Sequence, residues 1–211
     1  MRLLSLLLVL PAFMATAQAY GPGEIIDWEA QRFEGRTEYA WVPADAAGAP
    51  HAAVRATCRD ATASGRVVRE SVALSDTPVL EWRWRVDSSY SGLGETKKAG
   101  DDYAARVYVV AERWPRFRSR AINYVWAGSQ PRGSTWENAF ASQFMMVAVQ
   151  SGDDRVGEWL TERRDVREDF RNLHDIEPDT IDALAIMTDC DNAGQRTTAW
   201  YGPIRWLPAG R

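Results

Sequence analysis

The chain has 211 residues, 25 of them basic and 29 acidic, for a formal net charge of −4. Both signs are mixed along its length, so the sequence offers no polyanion-binding stripe and nucleic acid is not an expected partner. Two cysteines and two histidines are too few and too scattered for a structural zinc site, and the length suits a single domain, because sandwiches of up to roughly 250 residues often enclose one core.

Met1 and Arg2 make a short positive start, Leu3 to Phe13 is apolar apart from Ser5 and Pro11, and Ala17-Gln-Ala19 has the small-x-small form that signal peptidases accept. Residues 1–19 are therefore expected to be a cleaved signal peptide and 20–211 one mature domain, periplasmic or secreted. The apolar run falls short of the roughly 20 residues that span a bilayer, and no comparable run recurs. No membrane span is expected in the mature chain.

From there the sequence reads as short strands separated by turn residues, with little helix. Candidate strands are Arg36 to Val42, Ala52 to Cys58, Val67 to Val72, Val79 to Val86, Ala104 to Ala111, Ala121 to Trp126, Phe144 to Val149, Gly157 to Arg164, Asp182 to Thr188 and Ala199 to Trp206. Ala44 to Pro50 reads as a loop. Val166, Phe170 and Leu173 fall at helical spacing, which predicts one short edge helix over Asp165 to His174. The expected fold is all-β, a two-sheet antiparallel jelly-roll-like sandwich. Ten tryptophans supply the large apolar side chains such a core buries.

Alternation along strands sorts side chains onto faces. Leu80, Trp82, Trp84 and Val86 point one way, and Glu81, Arg83 and Arg85 the other. The same rule sets Arg106 and Tyr108 against Val107 and Val109, and Asn123 against Ile122, Tyr124 and Trp126. If these strands are neighbours, Glu81, Arg83, Arg106, Tyr108 and Asn123 share one sheet surface. That surface is open to two readings. One is a solvated face with weak cross-strand charge pairs. The other is a groove where guanidinium and amide groups hydrogen-bond a glycan or small polar ligand while Tyr108 or Trp126 stacks on it. Asp101 and Asp102 sit in the loop entering the Arg106 strand, after a Gly-containing segment, and are placed as a lid.

Asp189-Cys-Asp191-Asn192 offers alternating hard oxygens, as the start of a calcium loop does, but lacks the later Glu of an EF-hand, since Gly194-Gln-Arg-Thr-Thr198 follows. Asp189, Asp191 and Asn192 are thus a candidate calcium set, and the alternative is a turn held by its own Asp and Asn side chains. No other cofactor is expected. Cys58 and Cys190 are open to two readings: a single bridge closing a very long loop, or two small buried apolar residues.

Trp82-Arg-Trp-Arg-Val86, the Ala99 to Val109 block with Gly100-Asp-Asp-Tyr103, Asn123-Tyr-Val-Trp126, Trp159 with Glu162 and Arg163-Arg-Asp-Val166, and Ala185-Ile-Met-Thr-Asp-Cys-Asp-Asn192 resemble, in this order, a family of secreted bacterial proteins, domain of unknown function 3047 (DUF3047). The resemblance covers nearly all of the mature chain. It implies a fold similar in outline to jelly-roll carbohydrate-binding modules, and no activity; at the place of Cys190 it implies Thr.

Three functions are compatible with these residues. The first is a non-catalytic binding protein using the groove. The second is a structural or interaction protein of the cell envelope, anchored through Trp114 or Trp136. The third is a polysaccharide hydrolase or lyase, for which Glu81 with Asp101 or Asp102 is the only carboxylate pairing on offer. A Ser-His-Asp triad is poorly supported: His51 and His174 lie in peripheral segments, and no Gly-x-Ser-x-Gly occurs.

Overall fold

A computed structural model of the chain describes residues 18–192 and 194–210. Most of the expected signal segment lies outside these residues. Gln18 and Ala19, expected to be removed, lie inside them: the Gln18 carbonyl accepts from the Trp206 amide at 2.7 Å.

The strands in chain order are β1 (Ala19–Tyr20), β2 (Glu29–Glu34), β3 (Glu38–Val42), β4 (Ala53–Cys58), β5 (Ala63–Val68), β6 (Val72–Ala73), β7 (Val79–Val86), β8 (Arg106–Ala111), β9 (Arg120–Ala127), β10 (Thr135–Glu137), β11 (Phe144–Ser151), β12 (Leu160–Asp165), β13 (Thr180–Ile181), β14 (Ala183–Asp189) and β15 (Thr197–Leu207). Three short helices accompany them: α1 (Pro22–Ile25), α2 (Ala44–Ala47) and α3 (Val166–His174). One large sheet runs β12-β7-β15-β4-β3 with β1 added to β15, a second runs β10-β11-β9-β8-β14-β5-β2, and β13 and β6 pair as a separate two-stranded ribbon. The chain repeatedly crosses between the two large sheets, as jelly rolls do.

The core forms where alternation places it. Trp82 of β7 stacks on Tyr124 of β9 at 5.2 Å, and Trp84 meets Trp126 at 6.0 Å. Val107, Val109 and Ile122 fill the layer between them. Helix α3 closes one edge through buried Val166 and Phe170. Asp165 caps it by accepting from the Glu168 amide, and buried Asp169 accepts from Tyr124 at 2.7 Å and from Arg164.

Several boundaries differ from expectation, each for a physical reason. Residues 44–47, expected as loop, make the single turn α2, which ends at left-handed Gly48. The strand expected at Val67 to Val72 is broken in two: β5 runs from Ala63 to Val68, and Val72 opens the separate two-residue β6. Gly65 sits there through close packing: a Cβ would lie 2.6 Å from the Ile186 carbonyl on β14. Gly65→Ala is therefore expected to cost about 1–3 kcal/mol, seen as a lowered denaturation midpoint. Edge strands β2 and β10 lack apolar alternation. Finally, β11 runs parallel to β9 in an otherwise antiparallel sandwich, which residues 128–143 permit by supplying the long crossover a parallel pair needs.

Of the two readings of the cysteines, the structure has the bridge: Cys58, at the end of β4, is bonded to Cys190, which follows β14, with Cα atoms 6.0 Å apart. It ties the two sheets together at the end where the acidic residues gather.

Candidate functional site

Residues 87–105 carry the chain from β7 in one sheet to β8 in the other. The expected single surface is thereby divided. Glu81 and Arg83 lie on the outer face of the β7 sheet, where Glu81 accepts from Arg205 at 2.7 Å and has Arg163 at 3.6 Å. Arg83 packs beside His51 and Gly202. Neither belongs with Arg106, and the proposed pairing of Glu81 with Asp101 or Asp102 is lost. Trp126 is also removed: it faces the core and donates Nε1–H to the Gly152 carbonyl at 3.0 Å.

Arg106, Tyr108 and Asn123 do share a face, the outer side of the second sheet, with Tyr108 directly opposite Asn123 in the β8–β9 register. The Asp189 segment, read as a separate cluster in the sequence, joins them, because β14 is the other neighbour of β8. Together they floor a cavity of about 330 Å³. Its apolar lining includes Phe33 from β2, Phe140, Phe144 and Met187, and its rim carries Glu34, Asp191 and Asn192.

Arg106 is 3 % exposed and every nitrogen of its guanidinium donates within the protein. Nε donates to Asp189 Oδ1 at 2.8 Å, Nη2 donates to Asp189 Oδ2 and to the Asp101 carbonyl, and Nη1 donates to Tyr108 Oη at 3.2 Å. Asp101 Oδ2 stands 3.6 Å from Nη1, and the Tyr103 ring covers the guanidinium at 4.4 Å. Burial pushes the Asp189 carboxyl up to about 7, with Arg106 pulling it down and the charges of Asp102 and Asp101 pushing it up. Burial likewise raises the Tyr108 phenol, against the pull of Arg106, so it keeps its proton and serves as a donor.

The lid expectation takes a different form. Asn138, which the sequence reading missed, donates from Nδ2 to both Asp101 oxygens at 3.0 Å, while its own Oδ1 accepts from the Phe140 and Ala141 amides. Asp102 accepts from the Asn192 amide at 2.8 Å and from Asn192 Nδ2 at 3.1 Å. The two carboxylates thus clamp the loop onto the sheet. The Asx turn at Asn138 is legible in Glu137-Asn-Ala-Phe140; its partner Asp101 is not. Phe33 and Phe140 gave no signal, since lone edge and loop aromatics read as ordinary surface, and Phe144 was legible only as the start of a strand.

For a cation, Asp102, Asp189 and Asp191 bring carboxylate oxygens within 4.8 Å of one another. The expected set of Asp189, Asp191 and Asn192 is rearranged: Asn192 acts as a donor to Asp102 and to Asp191, and Asp102 takes its place. Burial and the neighbouring Asp102 charge raise the Asp191 carboxyl.

One atom of the floor is left over. Asn123 is 1 % exposed; its Nδ2 meets Met146 Sδ at 3.4 Å, while its Oδ1 has no hydrogen-bond partner. A buried acceptor without a donor costs about 1–3 kcal/mol.

Of the aromatics singled out in the sequence, Trp136 folds back over Tyr103 at 6.3 Å and is not a free anchor, whereas Trp114 is 87 % exposed.

Among solved structures, the family 11 carbohydrate-binding module of a cellulosomal cellulase of Clostridium thermocellum is 10 % identical, with a TM-score of 0.48 over 92 % of this chain and 95 % of that one. Endoglucanase 3 of Trichoderma harzianum, from glycoside hydrolase family 12, is 9 % identical with a TM-score of 0.42 over 92 % and 99 %. A xylan-binding module of Roseburia intestinalis is 9 % identical with a TM-score of 0.33 over 92 % and 97 %. No curated protein matches the sequence. The match that assigns the chain is to a family model spanning residues 26–205, through the strands that build the groove: the protein belongs to DUF3047, a family of proteins of unknown function.

Proposed function

We propose that this is a non-catalytic binding protein acting outside the cytoplasm, whose groove takes a neutral or amine-bearing glycan. The observation that carries the reading is the unpartnered Oδ1 of buried Asn123 at the floor of a cavity walled by phenylalanines. A bound hydroxyl or ammonium supplies the donor this atom lacks, and the aromatic walls lie against the apolar face of a sugar ring.

The charge of the lining narrows the ligand further. Among the described residues that line the groove, Glu34, Asp101, Asp189 and Asp191 stand against one cation, Arg106, and each nitrogen of that cation already donates to Asp189, Asp101 or Tyr108. The groove therefore offers acceptors in excess and repels carboxylates, which reverses the expectation that Arg106 grips the ligand. Uronates and phosphorylated sugars are disfavoured. The non-catalytic reading rests on the same bonds, since Asp101, Asp102 and Asp189 are each engaged within the protein. Export is supported by the leader-like N-terminus and by the disulfide, which belongs in an oxidising compartment.

Thermal unfolding against neutral, amine-bearing and uronate oligosaccharides, with and without calcium, tests this reading. Saturation with a suitable glycan is expected to stabilise by about 2–3 kcal/mol at one hundred times Kd, and the shift is lost in Asn123→Leu and Phe144→Ala. A calcium-dependent shift abolished by Asp191→Asn would add a cation at Asp102, Asp189 and Asp191. No shift with any sugar, or a preference for uronates, would sink the proposal.

A further inference from the structure

The even mixing of charge along the whole chain hides one local exception. The hairpin joining β8 to β9 reads Arg113-Trp-Pro-Arg-Phe-Arg-Ser-Arg120, four arginines interleaved with two aromatics and no carboxylate. Trp114 is 87 % and Phe117 74 % exposed. Arg113, Arg116 and Arg118 are exposed as well, and among the described residues none of the three takes part in an ion pair, whereas adjacent Glu112 is engaged by Arg69.

The backbone beneath these side chains is held. Residues 116–118 form a 3₁₀ turn, Arg120 Nη1 donates to the carbonyls of Phe117, Arg118 and Ser119, and Ser119 Oγ accepts from the Arg113 amide. Arg120 is thus spent on shaping the tip, which leaves three exposed cations and two exposed aromatic rings on a hydrogen-bonded turn. None of these five residues lines the groove described above.

We propose that this tip docks the protein on a membrane surface rich in anionic phospholipid. Charge complementarity selects the partner: guanidiniums pair with phosphate oxygens, and an indole and a phenyl ring between them insert at the headgroup level, where amphipathic and aromatic side chains settle. A protein partner with an acidic apolar patch is the alternative that the test below separates. Arg106 and Ala111 begin and end β8, which at about 3.3 Å per residue sets the start of the hairpin roughly 16 Å from the groove's buried arginine. The membrane proposal is independent of the glycan reading.

The test is co-sedimentation of the protein, purified as the cell processes it, with phosphatidylcholine vesicles with and without phosphatidylglycerol. Binding is expected only to the anionic vesicles and weakens as salt is raised. Each of Arg113→Ser, Arg116→Ser and Arg118→Ser is expected to reduce partitioning about fivefold, and the pair Trp114→Ser with Phe117→Ser to abolish it. Because these side chains face solvent, unchanged melting temperatures confirm that the variants fold. Equal binding to neutral vesicles, no binding, or binding indifferent to the substitutions overturns the proposal. So does a partner protein from the envelope retained through Trp114 when vesicles are not.

Discussion

Replacing Arg106 by leucine is expected to destabilise the protein by about 3–5 kcal/mol, the range for breaking a buried ion pair by removing one partner. In a chain of this size that is a fall in Tm on the order of 10 °C. The cost arises mainly from what remains: Asp189 and Asp101 stay buried with no cation between them. The loss carries a pH signature. Burial already holds the Asp189 carboxyl near 7, above the roughly 3.9 of an unfolded aspartate, and removing the guanidinium raises it further. Between those two values the folded state binds a proton that the unfolded state has released, so stability falls as pH rises through the window. The variant should therefore be hurt more at pH 8 than at pH 5. Arg106→Leu combined with Asp189→Leu should recover part of the loss, as apolar replacement of both partners often does. Urea denaturation of the three proteins at both pH values measures all of this, and a pH-independent cost in Arg106→Leu would show that Asp189 is not the group left stranded.

Opening the Cys58–Cys190 bridge is expected to have a comparable effect. The two residues are 132 apart in sequence, so the bond removes a very large loop's freedom from the unfolded chain, worth about 5 kcal/mol in the chain-entropy model and about 2–5 kcal/mol in practice. The consequence reaches the site, because Cys190 lies between Asp189 and Asp191 and fixes the turn from which both carboxylates project. Cys58→Ser with Cys190→Ser should lower the unfolding midpoint and also weaken whatever ligand the groove holds. Reductant should reproduce the first effect in the wild type and leave the double variant unmoved. Equal stability with and without reductant would remove the bridge from the account.

The strands carrying the core were legible because alternation is a local property. Val79–Val86 matches its expected bounds residue for residue, and Trp82 and Trp84 face inward as their spacing requires. The same rule places Trp126 inward with Tyr124, so its candidacy as a stacking platform ran against the pattern that built the strand. Gly65 and the edge strand β2 were illegible because their reason for being in a sheet is a neighbour: a close carbonyl for the one, backbone pairing with β5 for the other. The groove was half legible. Period alone puts Arg106 and Tyr108 on one face, and only the assumption of neighbouring strands adds Asn123, an assumption that also took in Glu81 and Arg83; Asp101, Asp102, Asp189, Asp191 and Asn192 stood out as two polar clusters rich in Asp. That the two groups meet was not visible.

The sequence by itself determined the core strands, the face of each side chain within them, the edge helix and the family, because these depend on residues a few positions apart. Only the tertiary structure decided which strands share a sheet. That choice separates Glu81 and Arg83 from Arg106, brings Asp189 onto Arg106 across 83 residues, and spends the arginine on the protein's own carboxylates. The physical reason is that pairing partners are selected by long crossovers and by the burial of both sheets at once, a property of the whole chain that no local window contains.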